Sequence, residues 1–112
     1  MSTWIALGPE TLKSGSLLVI PGSHKLTLDP GRFDAALFLR TDIEDNAELL
    51  SSAVTVELNA GDVLFFHSRT LHAAGQNDSQ SVKRSIVFTY HTKDNQPIPQ
   101  TRSAVYEGIA VG

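Results

Sequence analysis

Hydrophobic positions in this chain fall in short clusters separated by turn-forming residues. "VTVEL" at 54–58 alternates strictly, with Val54, Val56 and Leu58 on one face and Thr55 and Glu57 on the other. That period of two is the signature of a strand with one covered face. "AGD" at 60–62 reads as a tight turn into the apolar "VLFFH" at 63–67, and "RSIVFTYH" at 84–91 alternates again. "WIALG" (4–8) and "SLLVIPG" (16–22) are short apolar runs bounded by Gly or Pro, and "SAVYEGIAV" (103–111) fits a last strand. Five or six short strands at this spacing predict an antiparallel sandwich or barrel.

From about 25 to 52 the pattern changes. In "RFDAALFL" and "DIEDNAELLSS" apolar residues recur at helical spacing (Phe33, Ala36 and Leu37; Ala47 and Leu50), after a "DPG" breaker. One or two short helices, or an ordered excursion, are expected there. At 112 residues the chain is at most one domain. A net charge of −3 with no run of like charge argues against nucleic acid and against an anionic membrane. No apolar run approaches the length of a bilayer span. The residues after Met1, "STWIALG", have neither the basic region nor the apolar core of a secretory signal, so a cytoplasmic protein is the default expectation. The lack of cysteine excludes a disulfide framework, a thiolate metal site and a cysteine nucleophile.

Two side chains carry candidate chemistry. Arg84 shares a strand face with Ile86, Phe88 and Tyr90, while Ser85, Val87, Thr89 and His91 take the other. The more apolar face is expected to be buried, which sets a guanidinium at the end of the interior. A buried charge without a partner is costly, so Arg84 calls for an anion: an internal Asp or Glu, or the carboxylate of a ligand. A bidentate fork suits either. His72 lies twelve positions earlier, after an apolar run, where an imidazole serves as a hydrogen-bonded structural group or as a metal ligand. His24, His67 and His91 form no motif with it. "HSR" at 67–69 is not a His-x-Asp pair, and "HTKD" at 91–94 has one residue too many. No HExxH, CxxC, GxSxG or phosphate-binding glycine loop occurs.

Taken in order, "WIALGPETLKSGSLLVIPGSHK" (4–25) and "AGDVLFFHSRTLHAAGQNDSQSVKRSIVFTYH" (60–91) resemble the phytanoyl-CoA dioxygenase (PhyH-like) family of Fe(II)/2-oxoglutarate-dependent oxygenases. The shared features are a Trp-x-Ala-Leu strand, an apolar strand ending in Pro-Gly-Ser-His, a Gly-Asp turn into another apolar strand, and a His-small-x-Gly-x-Asn segment followed by an arginine. The resemblance implies a mainly β double-stranded β-helix (a cupin-like jelly roll), incomplete at its N-terminus, with a short helical excursion around 32–52. Residues 1–112 would form a single partial jelly-roll domain. It further implies Fe(II) and 2-oxoglutarate as cofactors, with His72 as the distal iron ligand. Arg84 would pair with the C5 carboxylate of 2-oxoglutarate, and Trp4 would line the cosubstrate pocket. Asn77 would cap the loop after His72, and His24 would fix its turn by a hydrogen bond rather than bind iron. Ala74 departs from the pattern, standing where some members have a Ser that bonds the same carboxylate.

In the family the remaining iron ligands are a His-x-Asp pair upstream of the Trp-x-Ala-Leu strand, and three residues precede Trp4 here. The expectation is therefore the C-terminal portion of a hydroxylase, lacking the His-x-Asp half of the iron site, inactive alone and not retaining its cofactors. The alternative is a non-catalytic jelly-roll protein that binds a small anion or self-associates. An opened barrel exposes strand edges and apolar side chains such as Trp4, Ile5 and Leu7. The expected assembly is a homodimer that buries the N-terminal strand at 3–8. The substrate is not legible in the sequence.

Overall fold

A computed structural model describes residues 1–112, all but the side chain of Arg102. Six strands run in the order β1 (Ser2–Ala6), β2 (Leu17–Val19), β3 (Val54–Val56), β4 (Val63–Phe66), β5 (His72–Ala74) and β6 (Ser85–Thr89). They form two antiparallel three-stranded sheets, β4-β1-β6 and β3-β2-β5, so the chain passes repeatedly from one sheet to the other. The mainly β reading and the two-sheet expectation hold at this level.

Register follows from the side-chain alternation. In the first sheet Trp4 lies opposite Leu64 and Val87, and Ala6 opposite Ser85. In the second, Leu17 lies opposite Val56 and Ala74, and Val19 opposite Val54 and His72. The valines of the alternating "VTVEL" segment therefore share a face with the fully buried Leu17. A one-residue slip would turn that whole set outward. Ala6, Leu17 and Ile20 are the buried hydrophobic residues among those described. The core is thin.

Two close backbone contacts hold the strand ends. Beyond β1, Glu10 and Leu58 exchange backbone hydrogen bonds of 2.8 and 2.9 Å, closing a bridge. Gly15, at φ +79°, lies so close to the end of β5 that a Cβ there would sit 2.4 Å from the Gly75 carbonyl oxygen. Both the left-handed backbone and the close approach require glycine at this turn.

The sequence expectations need three corrections. The first strand is Ser2–Ala6 rather than 4–8, and it is the central strand of its sheet. Its backbone is paired on both sides, and the mutual Met1–Tyr90 bonds of 2.7 Å extend one ladder, so β1 is not itself an open edge. In the excursion, "RFDAALFL" is not helical. The Asp34 carboxylate accepts the N–H groups of Ala36 and Phe38 at 2.9 Å, Leu37 takes φ +65°, and Phe33 bridges to Leu39. A short polar side chain has captured the donors that a helix would use. Only α1 (Ala47–Ser51) and 3-10 turns at Pro30–Arg32 and Glu44–Asn46 are helical there. Asn46, fully buried, ties the excursion together by donating from Nδ2 to the carbonyls of Arg32 and Arg40. Finally, "SAVYEGIAV" forms no strand: a 3-10 turn at Arg102–Ala104 leads into a segment where Val105, Tyr106, Ile109 and Val111 are exposed. Alternation alone makes no strand without a ladder partner. Among the described residues no helix is long and apolar enough to cross a membrane.

Candidate functional site

The β4-β1-β6 sheet turns Trp4 and Ala6 of β1, Leu64 and Phe66 of β4, and Ser85 of β6 to one side. Glu10 folds back beneath this face, its backbone fixed by the Leu58 bridge. Its side chain is fully buried. Both carboxylate oxygens accept from the Trp4 indole N–H, at 3.0 and 3.1 Å, and Oε1 also accepts from the Ser85 hydroxyl at 2.8 Å. Lys83 Nζ lies 3.8 Å from Oε2 and 4.9 Å from the Trp4 ring centroid, with its side chain 15% exposed. A buried carboxylate is tolerable only when hydrogen-bonded and paired, and these donors meet that condition. The ammonium over the indole face adds a cation–π contact.

The cation on this side is Lys83, not Arg84. Arg84 falls on the alternate parity with Ile86 and Phe88 and is exposed, and among the described residues it forms no ion pair. The burial expected for it is corrected. The apolar face of β6, on which that expectation rested, is the face turned outward, with Ile86 40% and Phe88 46% exposed. Of the two anion partners left open by the sequence, an internal glutamate is present, but it serves the neighbouring lysine. Neither Glu10 nor Lys83 was legible as a site residue. The register to Trp4 would have selected their side of the sheet, and a single strand's periodicity does not carry register.

His72 stands on the other sheet, opposite Val19. Its Nδ1 lies 2.8 Å from the Thr70 carbonyl, which can only accept, so Nδ1 carries a proton and, in the neutral ring, Nε2 keeps the lone pair. The ring sits edge-on to Phe66 of β4 at 4.8 Å and is exposed. A backbone carbonyl that fixes the tautomer and leaves Nε2 free is the arrangement a metal-ligating histidine needs. Asn77 caps the following loop: its Oδ1 accepts from the Ser79 N–H at 2.9 Å and its Nδ2 donates to Ser81 O at 2.8 Å. The turn at 22–25 is tied to Leu71 by the Ser23 hydroxyl (2.8 Å), while His24 lies against the His67 ring at 5.3 Å. Trp4 and Lys83 are thus brought together, and Arg84 is not with them. Among the described residues no group of three His, Cys, Asp or Glu could hold a metal ion. His72 fits iron as one ligand, and among the described residues no two further ligands are grouped with it.

Solved structures of similar fold include a non-haem alpha-ketoglutarate-dependent enzyme. The alpha-ketoglutarate-dependent epimerase SnoN of nogalamycin biosynthesis is similar with a TM-score of 0.59 and 34% identity, over 77% of this chain and 32% of its own. EvdO2 from Micromonospora carbonacea var. aurantiaca, solved with 2-oxoglutarate, gives a TM-score of 0.58 and 29% identity, over 89% of this chain and 43% of its own. The family profile of phytanoyl-CoA dioxygenase (PhyH) matches residues 1–85, and the chain belongs to that family. Peroxisomal phytanoyl-CoA dioxygenase of Homo sapiens is 29% identical over 98 residues, which are 81% of this chain and 28% of that protein. A probable phytanoyl-CoA dioxygenase of Caenorhabditis elegans is 27% identical over 94 residues, 81% of this chain and 30% of that protein. The chain spans less than a third of the length of these relatives.

Proposed function

We propose that this chain is the C-terminal part of a phytanoyl-CoA dioxygenase-like hydroxylase built on a cupin-like double-stranded β-helix. In this reading His72 supplies one iron ligand, and the Trp4–Lys83 side of the β4-β1-β6 sheet supplies the carboxylate end of a 2-oxoglutarate site. The observation that carries it is the His72 ring, held through Nδ1 on the Thr70 carbonyl with Nε2 left free. Family membership supports the cofactor class. Non-haem iron of this kind takes two histidines and a carboxylate on one face, and the described residues offer one of the three. By itself the chain then neither retains Fe(II) nor turns over. Iron analysis of the purified chain should find far less than one equivalent, and Fe(II) with 2-oxoglutarate under anaerobic conditions should give no charge-transfer absorption. Succinate formation above the no-enzyme rate would overturn the inactivity.

A second reading is a non-catalytic jelly-roll protein that binds a small anion or self-associates, and one observation favours it. Leu7, Val63, Phe65, Ile86 and Phe88 make a bare apolar surface on the outer face of the β4-β1-β6 sheet. Patches of this kind mark contact surfaces. We therefore place the proposed homodimer contact on this face rather than on a strand edge. Sedimentation velocity at micromolar concentration tests it, and a monomer there would remove it.

A further inference from the structure

The donors around Glu10 have the composition of a carboxylate receptor. An indole N–H from β1, a hydroxyl from β6 and an ammonium just before β6 converge on one buried pair of oxygens. Trp4 is shared between both oxygens, as a planar carboxylate allows. Lys83 stands at 3.8 Å, beyond direct hydrogen-bond distance, so its ammonium donors are not used up by Glu10. We propose that Glu10 is a built-in occupant of a carboxylate-binding cradle formed by Trp4, Lys83 and Ser85, and that a small carboxylate ligand binds there only in its place. This rests on the reading of the cradle as the cosubstrate's carboxylate end, and it adds that the chain's own side chain competes for that end.

A tethered group competes at a high effective concentration, and Glu10 is tethered tightly because its backbone is pinned to Leu58 on both sides. A free carboxylate must displace it and also leave a buried glutamate without its donors. The apparent affinity of any outside ligand is reduced by the fraction of time the cradle stands open. Val87, opposite Trp4 in register, is 50% exposed, so the cradle borders open surface and a ligand has a way in once Glu10 is gone.

Trp4 is the only tryptophan, so its emission reports on the cradle directly. The parent chain, Glu10→Ala and Glu10→Gln are titrated with acetate and, separately, with 2-oxoglutarate, following Trp4 fluorescence, with sodium chloride at matched ionic strength as control. The expected result is a saturable response to both carboxylates in Glu10→Ala, with an apparent Kd at least about tenfold below that of the parent. If Glu10→Ala does not fold by circular dichroism, Glu10→Gln is scored by the same criterion, since it keeps the shape and removes the charge facing Lys83. A parent that binds 2-oxoglutarate as tightly as the variant would overturn the proposal and leave the cosubstrate reading intact. A variant that takes acetate but not 2-oxoglutarate would uphold the occupied cradle and sink the cosubstrate reading. Folded variants with no response to either carboxylate would make Glu10 a structural counter-ion and end the proposal.

Discussion

Trp4 and Phe65 stand on adjacent strands of one sheet and point to opposite sides of it. Trp4 is half-buried and hydrogen-bonded to a carboxylate that no solvent reaches; Phe65 is 63% exposed. The contrast holds around the Glu10 cluster, although Val87 on the same side of the sheet is 50% exposed and Thr3 on the outer side only 5%. Its inner side gathers an acid, a base, an indole N–H and a hydroxyl, whereas its outer side presents leucine, valine, isoleucine and phenylalanine to water. The hydrophobic effect favours covering an apolar face, but it does not specify that the same chain provides the cover. Polar groups are held inside because each has a partner there, and a charge with its partners in place can stay dry where a phenylalanine without neighbours cannot.

The sharpest test of this inversion is Lys83→Met. It removes the cation beside a fully buried carboxylate, which keeps its Trp4 and Ser85 donors. A loss of about 2–4 kcal/mol is expected in urea unfolding, below the full cost of an orphaned buried charge because those donors remain. A smaller effect should follow Trp4→Phe, which keeps an aromatic ring under Lys83 and deletes the N–H bonded to Glu10; about 1–2 kcal/mol is the expected cost. On the outer face Phe65→Ser should change monomer stability by no more than about 0.5 kcal/mol. The same substitution should shift the sedimentation coefficient toward that of a monomer. A large loss of monomer stability instead would mean that Phe65 is covered within the chain. Arg84→Met, one residue from Lys83 but on the outer parity, should be nearly silent in the same urea titration. Were it to cost more than Lys83→Met, the inner and outer assignments would have to be exchanged.

Much of the sheet architecture was readable because alternation, and short apolar runs bounded by turn residues, report directly on strands. "VTVEL", "VLFFH" and "RSIVFTYH" gave β3, β4 and β6, and the apolar runs at 4–8 and 16–22 gave β1 and β2 with shifted ends. β5 was not readable. His72–Ala74 is three residues long and small-chained, and it is a strand only because β2 offers it a ladder. The excursion misled through Asp34, whose side chain intercepts the N–H groups of residues with helical spacing. Of the site, His72 and Trp4 were picked out by motif, and the structure adds the carbonyl that orients one and the carboxylate that engages the other. The inner cation was missed by one residue. Neighbouring positions on a strand differ by a full reversal of direction, and the more hydrophobic parity of β6 was taken for the covered one.

The central position of β1 also orders events in time. Ser2 pairs with Phe66 on one side and with Thr89 on the other, so β1 is bracketed by two strands that follow it in the chain. At about 5–20 residues per second, β1 waits on the order of five to fifteen seconds for β6, its second neighbour, to be synthesised. The β3-β2-β5 sheet needs nothing beyond Ala74 and can close earlier. Joining partners so distant in sequence carries a loop-closure cost that grows with the span, which places this topology among slow folders. Trp4 and Ser85 meet only when β6 docks, so the cradle around Glu10 cannot close before then, and the β6 side of β1 stays open until that point to any chaperone or neighbouring chain.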